Sequence, residues 1–332
     1  MSGGAFADQL ATLVPAGGDA DGGNPGGAPA GGAAGADTAA SGAPGRYRAT
    51  LAEHWNCPLV PQGGVVAAVA AEAMRRELDA PDQPIRSLTT LFVTPVPAGP
   101  VTVDVDVVRR GRSLSQVRAT LAPAGDDDGA GPRRAAGSGG AGGAVGQSVL
   151  AVFGRTRPGY AFADRTMPDV PPPEDCVSVR DPAPEGFERP DIRFWEHVDS
   201  RMAIGHLPWT DDPRTSSEIA LWYRFDEPPR GPDGALDPLA LVALSDTMMA
   251  SLDERLGRPG WWAPSADLTV HLLAESRAEW VLAHLRTHRA GGGYASAEVS
   301  LWDPEAGLVA YGTQVLYFTF LDGSPPDGDV VV

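Results

Sequence analysis

Lysine is absent from this chain of 332 residues, and its 26 basic side chains are all arginine. Acidic side chains number 43, which leaves a formal net charge of −17. A uniformly negative field repels phosphate backbones and anionic lipid, which argues against nucleic-acid and membrane-surface roles. Only two cysteines occur, Cys57 and Cys176, far apart and outside any CxxC pair. Neither a disulfide scaffold nor a zinc site is expected from them. No window reaches the roughly 20 apolar residues of a membrane span. The opening residues, MSGGAFADQLATLVPAGG, lack the basic flank and long apolar core of a signal peptide. The composition predicts a cytoplasmic protein.

Several chemical motifs are also missing. GxSxG, HExxH and the P-loop do not occur. Gly111-Arg112-Ser113-Leu114-Ser115 lacks the last glycine of a nucleophile elbow and falls in a hairpin. Gly137-Ser138-Gly139-Gly140-Ala141-Gly142 matches GxGxxG, but it lies in a low-complexity run and opens no helix. His284 and His288 share one strand face, which fits a metal pair or, more simply, a wet sheet face. No metal and no other cofactor is expected.

What is present is 42% hydrophobic sequence, divided by low-complexity runs. Residues 1–45 are dominated by Gly, Ala, Pro and Asp, and such a segment cannot bury enough apolar surface to offset its ordering entropy. A second run of this kind, 124–146, is expected as a long exposed hairpin loop. The Pro-rich stretch 167–190 reads as a linker, and 322–332 as a flexible tail. Two folded units remain, 46–166 and 191–321.

The two units repeat one plan. In the first, Gly63-Gly64 opens an apolar helix, VVAAVAAEAMRREL, followed by strands at Arg86 to Val96, Val101 to Arg109, Ser113 to Leu121 and Gln147 to Gly154. In the second, Asp237 caps and Pro238 opens the helix LALVALSDTMMASLDERL. Strands are expected at Ser265 to Ala274, Glu279 to His288, Tyr294 to Trp302 and Leu308 to Phe320. Another, Ser217 to Phe225, precedes this helix, and His54 to Pro61 is the matching lead-in of the first unit. One buried helix and four antiparallel strands, twice, predicts an α+β tandem of hotdog units, each a sheet wrapped round a central helix. A parallel doubly wound sheet is disfavoured because neither unit alternates βαβ.

Asp246 interrupts the apolar stripe of the second helix, with Val242, Ala243, Met249 and Ala250 as its helical neighbours. A carboxylate there costs several kcal/mol of desolvation unless compensated. It is either a helix-edge group reaching water or a functional carboxylate. Gln314 shares an apolar strand face with Leu316 and Phe318, and Ser265 opens a strand; on pattern alone both read as ordinary structural residues.

The strings ALSD (243–246), PSADLTVH (264–271) and GLVAYGTQ (307–314) resemble the second half of TesB-like acyl-CoA thioesterases. PQGGVVAAVAAEAM (61–74), SLTTLFVTPVPAG (87–99), VRRGRSLSQVRATL (108–121) and SVLAVFGRTRPGY (148–160) follow that family's order in the first half. The resemblance implies a double hotdog that hydrolyses acyl-CoA to free fatty acid and CoA. It assigns the water-holding aspartate, hydroxyl and glutamine to Asp246, Ser265 and Gln314, with serine where well-known members carry threonine.

Within that frame, the free N–H groups at Gly63 and Gly64 are candidate oxyanion donors, although two glycines also suit a tightly packed helix entry. Arg109, Arg110 and Arg112 are candidates for the CoA phosphates, or simply a solvated hairpin tip. The alternative to hydrolysis is a hotdog that binds acyl-CoA without cleaving it. A tandem already contains its pseudo-dimer, and homo-oligomers of it are compatible with this reading.

Overall fold

The structure is a computed structural model that describes residues 4–16, 45–125, 145–210, 212–257, 260–321 and 323. The expected loop core, the GxGxxG run and most of the tail lie outside the described residues. The first half comprises α1 (Gly4–Ala11), β1 (Val14–Pro15), β2 (Gly45–Leu51), α2 (Gly63–Leu78), β3 (Ile85–Phe92), β4 (Gly99–Arg109), β5 (Leu114–Pro123) and β6 (Gln147–Gly154). The second comprises β7 (Val177–Ser178), β8 (Val198–Ile204), β9 (Ile219–Phe225), α3 (Pro238–Ser245), α4 (Met249–Leu256), β10 (Trp261–Trp262), β11 (Asp267–Leu272), β12 (Val281–Gly291), β13 (Tyr294–Asp303), β14 (Gly307–Tyr317) and β15 (Thr319–Phe320).

Thirteen strands form one antiparallel sheet in the order β1-β2-β4-β5-β6-β3-β11-β14-β13-β12-β9-β8-β7. The halves share one topology: β2-β4-β5-β6-β3 in the first matches β9-β12-β13-β14-β11 in the second. They join where β3 pairs with β11, Thr89 facing Thr269 across a hydroxyl contact of 3.2 Å. Each half even carries a register shift at the same place, between Val107 and Arg109 and between Thr287 and Arg289. A β-bulge strengthens local twist, so both sheets bend at corresponding points around their helices. The fold is a double hotdog.

α2 is buried on almost every side because its first nine residues are Gly, Val and Ala, small enough to sit against the strands of its own half and against α3. The Gln62 side chain caps it by accepting from Val65 N–H at 2.8 Å, and Asp79, in the left-handed region at φ 44°, ends it.

Four expectations are corrected. Residues 4–16 are folded rather than part of a disordered segment: Phe6, Leu10 and Leu13 are buried, and the Arg76 guanidinium holds the carbonyls of Leu10 and Leu13. The lead-in strand is Gly45–Leu51, not His54 to Pro61, because Tyr47, Ala49 and Leu51 alternate inward while 53–55 form a single 3-10 turn. β8 was unforeseen, and the Pro-rich linker adds β7 to its edge.

The fourth correction bears on the site. The expected continuous second helix is two helices, broken at Asp246–Met248. Ser245 Oγ donates back to Leu241 O at 2.7 Å and Thr247 Oγ1 to Leu244 O at 2.9 Å. Such back-bonding competes with the helical ladder and favours a break. Asp246 sits in the break at φ −84°, ψ 46°.

Candidate active site

Asp246, Ser265 and Gln314 converge, each from a different element. Asp246 comes from the α3–α4 break, Ser265 from just before β11, and Gln314 from β14. Gln314 Nε2 donates to Asp246 Oδ1 at 2.6 Å and to Ser265 Oγ at 2.6 Å. Ser265 Oγ donates to the same carboxylate oxygen over 3.5 Å, a weak contact. The inward face of β14 explains why Gln314, only 2% exposed, needs these partners.

The first half completes the site. Gly64 N–H, at the N-terminus of α2, donates to Asp246 Oδ2 at 2.7 Å. The helix end is a favourable place for a carboxylate, since its free N–H groups and dipole are positive. This engagement takes Gly64 away from the expected oxyanion role. Gly63, at the first helical position, keeps an N–H with no acceptor inside the helix. Both glycines answer to crowding: a Cβ on Gly63 would meet the Phe92 ring at 2.5 Å and Asp246 Oδ2 at 2.9 Å, and one on Gly64 would meet Val242 O at 2.9 Å.

Gln62 was not foreseen as part of the site. Its Nε2 donates to Ala243 O at 2.8 Å and to Asp246 O at 3.0 Å, while its Oε1 caps α2. One buried amide thus ties the helix of one half to the break in the other. A glutamine immediately before a helix-opening glycine pair carried no pattern that could have revealed this contact.

Burial drives the Asp246 carboxyl up to about 6 from an ordinary value of 3.8, against the hydrogen bonds from Gln314, Gly64 and Ser265, which pull it down. Its accessible surface faces a cavity of about 730 Å3, bordered also by Cys57, Gln62, Thr247 and Met249. Burial and the neighbouring Asp246 charge push the Cys57 thiol up to about 12, so it is no ready nucleophile. The arrangement can hold a water against a base that is ionised at neutral pH yet more basic than a surface aspartate.

The arginines expected to meet phosphate lie elsewhere. Arg110 donates to the Leu78 and Glu77 carbonyls and so neutralises the C-terminal end of α2. Fourteen residues of helix, roughly 20 Å at 1.5 Å per residue, separate that end from Gly64. Arg109 and Arg112 share this exposed hairpin tip. The arginines bordering the cavity are Arg180, Arg189 and Arg214, contributed by the linker and the loop before β9. His284 pairs with Glu218 at 2.8 Å and His288 with Glu298 at 3.3 Å, each with its own carboxylate. Among the described residues no three His, Cys, Asp or Glu side chains are placed to hold a metal, and no helix is long and apolar enough to cross a membrane.

Comparison with known proteins bears on the family and the fold. Residues 51–139 match the acyl-CoA thioesterase N-terminal domain, and residues 173–318 the acyl-CoA thioesterase C-terminal domain. The chain belongs to the TesB-like acyl-CoA thioesterase family. It is therefore a thioester hydrolase by family. No curated protein matches it. Among solved structures, it is similar to a hot dog fold protein of unknown function from Alicyclobacillus acidocaldarius, with TM-score 0.66 and 23% identity over 84% of this chain and 94% of that one. It is also similar to the acyl-CoA thioesterase II TesB2 of Mycobacterium marinum, with TM-score 0.63 and 24% identity over the same shares. A TesB protein of Mycobacterium avium subspecies paratuberculosis follows at TM-score 0.61 and 18% identity, over 82% and 92%. At these identities the likeness is one of fold.

Proposed function

We propose that this thioesterase hydrolyses an acyl-CoA to free fatty acid and CoA with a water held by Asp246, Ser265 and Gln314. The observation that carries the proposal is the meeting of these three side chains through Gln314, whose Nε2 lies 2.6 Å from both Asp246 Oδ1 and Ser265 Oγ, with Asp246 on the cavity wall. Asp246 takes a proton from the water as its oxygen attacks the thioester carbonyl carbon. Ser265 and Gln314 fix the carboxylate and the attack direction. The C–S bond then breaks, and the proton held by Asp246 passes to the departing CoA thiolate. The Gly63 N–H, at the positive end of α2, is the candidate donor to the developing oxyanion.

The test is thiol release from acyl-CoA substrates of graded chain length by wild-type protein and Asp246→Asn. Turnover by the wild type and a loss of roughly 100-fold or more in the variant are expected. Equal turnover in the two proteins removes this mechanism.

A further inference from the structure

The same cavity has a second polar centre that the hydrolytic mechanism does not use. Its walls are largely apolar, including Phe194, Trp195, Met202, Ile219, Leu221 and Met249. Yet His206, Glu254 and Arg214 also line it. Glu254 projects from α4 and is only 3% exposed. Its Oε1 lies 2.6 Å from His206 Nδ1, and its Oε2 accepts the His206 backbone N–H at 2.9 Å. Arg214 stands 3.5 Å away. α4 fixes the separation from the reacting centre. Ala250 and Glu254 face the cavity one turn apart on α4, and the five residues of rise from Met249 to Glu254 are roughly 8 Å.

We infer that the His206 end of the cavity is a subsite for a hydroxyl group on the distal part of the acyl chain; the inference rests on the acyl site proposed above. The carboxylate of Glu254 can only accept, so His206 Nδ1 carries a hydrogen and Nε2 is the nitrogen left for a ligand. Neutral imidazole accepts at Nε2 and imidazolium donates there; a hydroxyl satisfies either. An unsubstituted alkyl chain satisfies neither and leaves a polar nitrogen against hydrocarbon. Tethering of the loop does not account for the ring. The His206 backbone N–H and the Arg214 contacts with Glu254, Leu207 O and Thr210 O already secure it.

The experiment compares ω-hydroxyacyl-CoA with unsubstituted acyl-CoA of matched length, over a series of lengths, in wild type and His206→Leu. At one length the wild type is expected to favour the hydroxylated substrate by at least roughly tenfold in kcat/KM. His206→Leu loses that preference, and His206→Asn, which keeps a polar group, retains part of it. The wild-type comparison needs no variant to fold. Calorimetric binding of the free hydroxy acids and plain acids to wild type reads the same preference without turnover. No preference at any length in either measurement, or an unchanged preference in His206→Leu, overturns the subsite. Such a result with normal turnover of plain chains leaves the thioesterase reading intact, whereas absence of all turnover strikes that reading instead.

Discussion

Asp246 is a buried carboxylate that costs stability. Its folded value of about 6 stands above the ordinary 3.8, so the native state holds a proton more tightly than the unfolded chain between those limits. The carboxylate therefore opposes folding in full above about pH 6, and the opposition fades as pH falls toward 3.8. Its size is at most about 3 kcal/mol. Asp246→Asn should raise Tm by a few degrees at neutral pH and by less near pH 4, read by thermal melts; Gln314 can rotate its amide to accept from the new donor. In the proposed mechanism the same titration governs catalysis. kcat/KM is expected to fall about tenfold per pH unit below about 6, and a flat profile through that range would exclude Asp246 as the base.

On the sequence, Asp246 was visible as a charge in an apolar stripe, but pattern alone could not separate a helix-edge aspartate from a functional one. What it concealed was the break. Helical periodicity continues through Ser245 to Met249, while two short hydroxyl back-bonds end the ladder, and periodicity does not register such local competition.

At the scale of elements, the site is a helix end meeting a helix break. α2 and α3 touch closely enough that Gly64 has no room for a side chain: a Cβ would fall 2.8 Å from Asp246 Cβ and 3.0 Å from Ala243 Cα. Backbone cannot yield cheaply there. Gly64→Ala should cost roughly 1–3 kcal/mol of stability, measured by denaturant unfolding, and should lower kcat by pulling its N–H off Asp246. Gln62→Leu tests the other tie. It removes two donors from the Ala243 and Asp246 carbonyls, and kcat should fall by about tenfold with little change in KM.

The glycine pair was legible as a tightly packed helix entry, and that packing is observed; the Gly64 N–H, expected as an oxyanion donor, meets the Asp246 carboxylate instead. The arginines of the β4–β5 hairpin were legible as a cluster but not as a location. Sequence proximity to a family motif says nothing about which end of a buried helix a hairpin reaches.

The whole molecule repeats one plan, and the three polar groups of the candidate site stand in its second half. Strand registers map the first half onto the second, with Thr89 and Thr269 at the pseudo-twofold. Through the pairing of β3 with β6 and of β11 with β14, Ile85 takes the place of Ser265 and Ala151 that of Gln314. Counted from the first helical residues, Ala71 takes the place of Asp246 and Pro238 that of Gly63. The three polar groups are thus replaced by buried apolar ones, and a prolyl nitrogen without hydrogen replaces a free N–H. Arg75 instead bridges Glu72 and Asp237 at this second junction. The repeat of elements was readable from helix and strand order, and the resemblance placed the candidate site in the second half; what stands in its place in the first half became readable only with the registers. A non-hydrolysable thioether analogue of acyl-CoA should therefore bind with one site per chain by calorimetry, and Asp246→Asn should keep that stoichiometry. Arg75→Ala should lower Tm, because it takes the guanidinium from Asp237 and leaves the buried Glu72 with Arg76 alone, while kcat is unmoved. Two equivalent binding events per chain would mean that the first half also works.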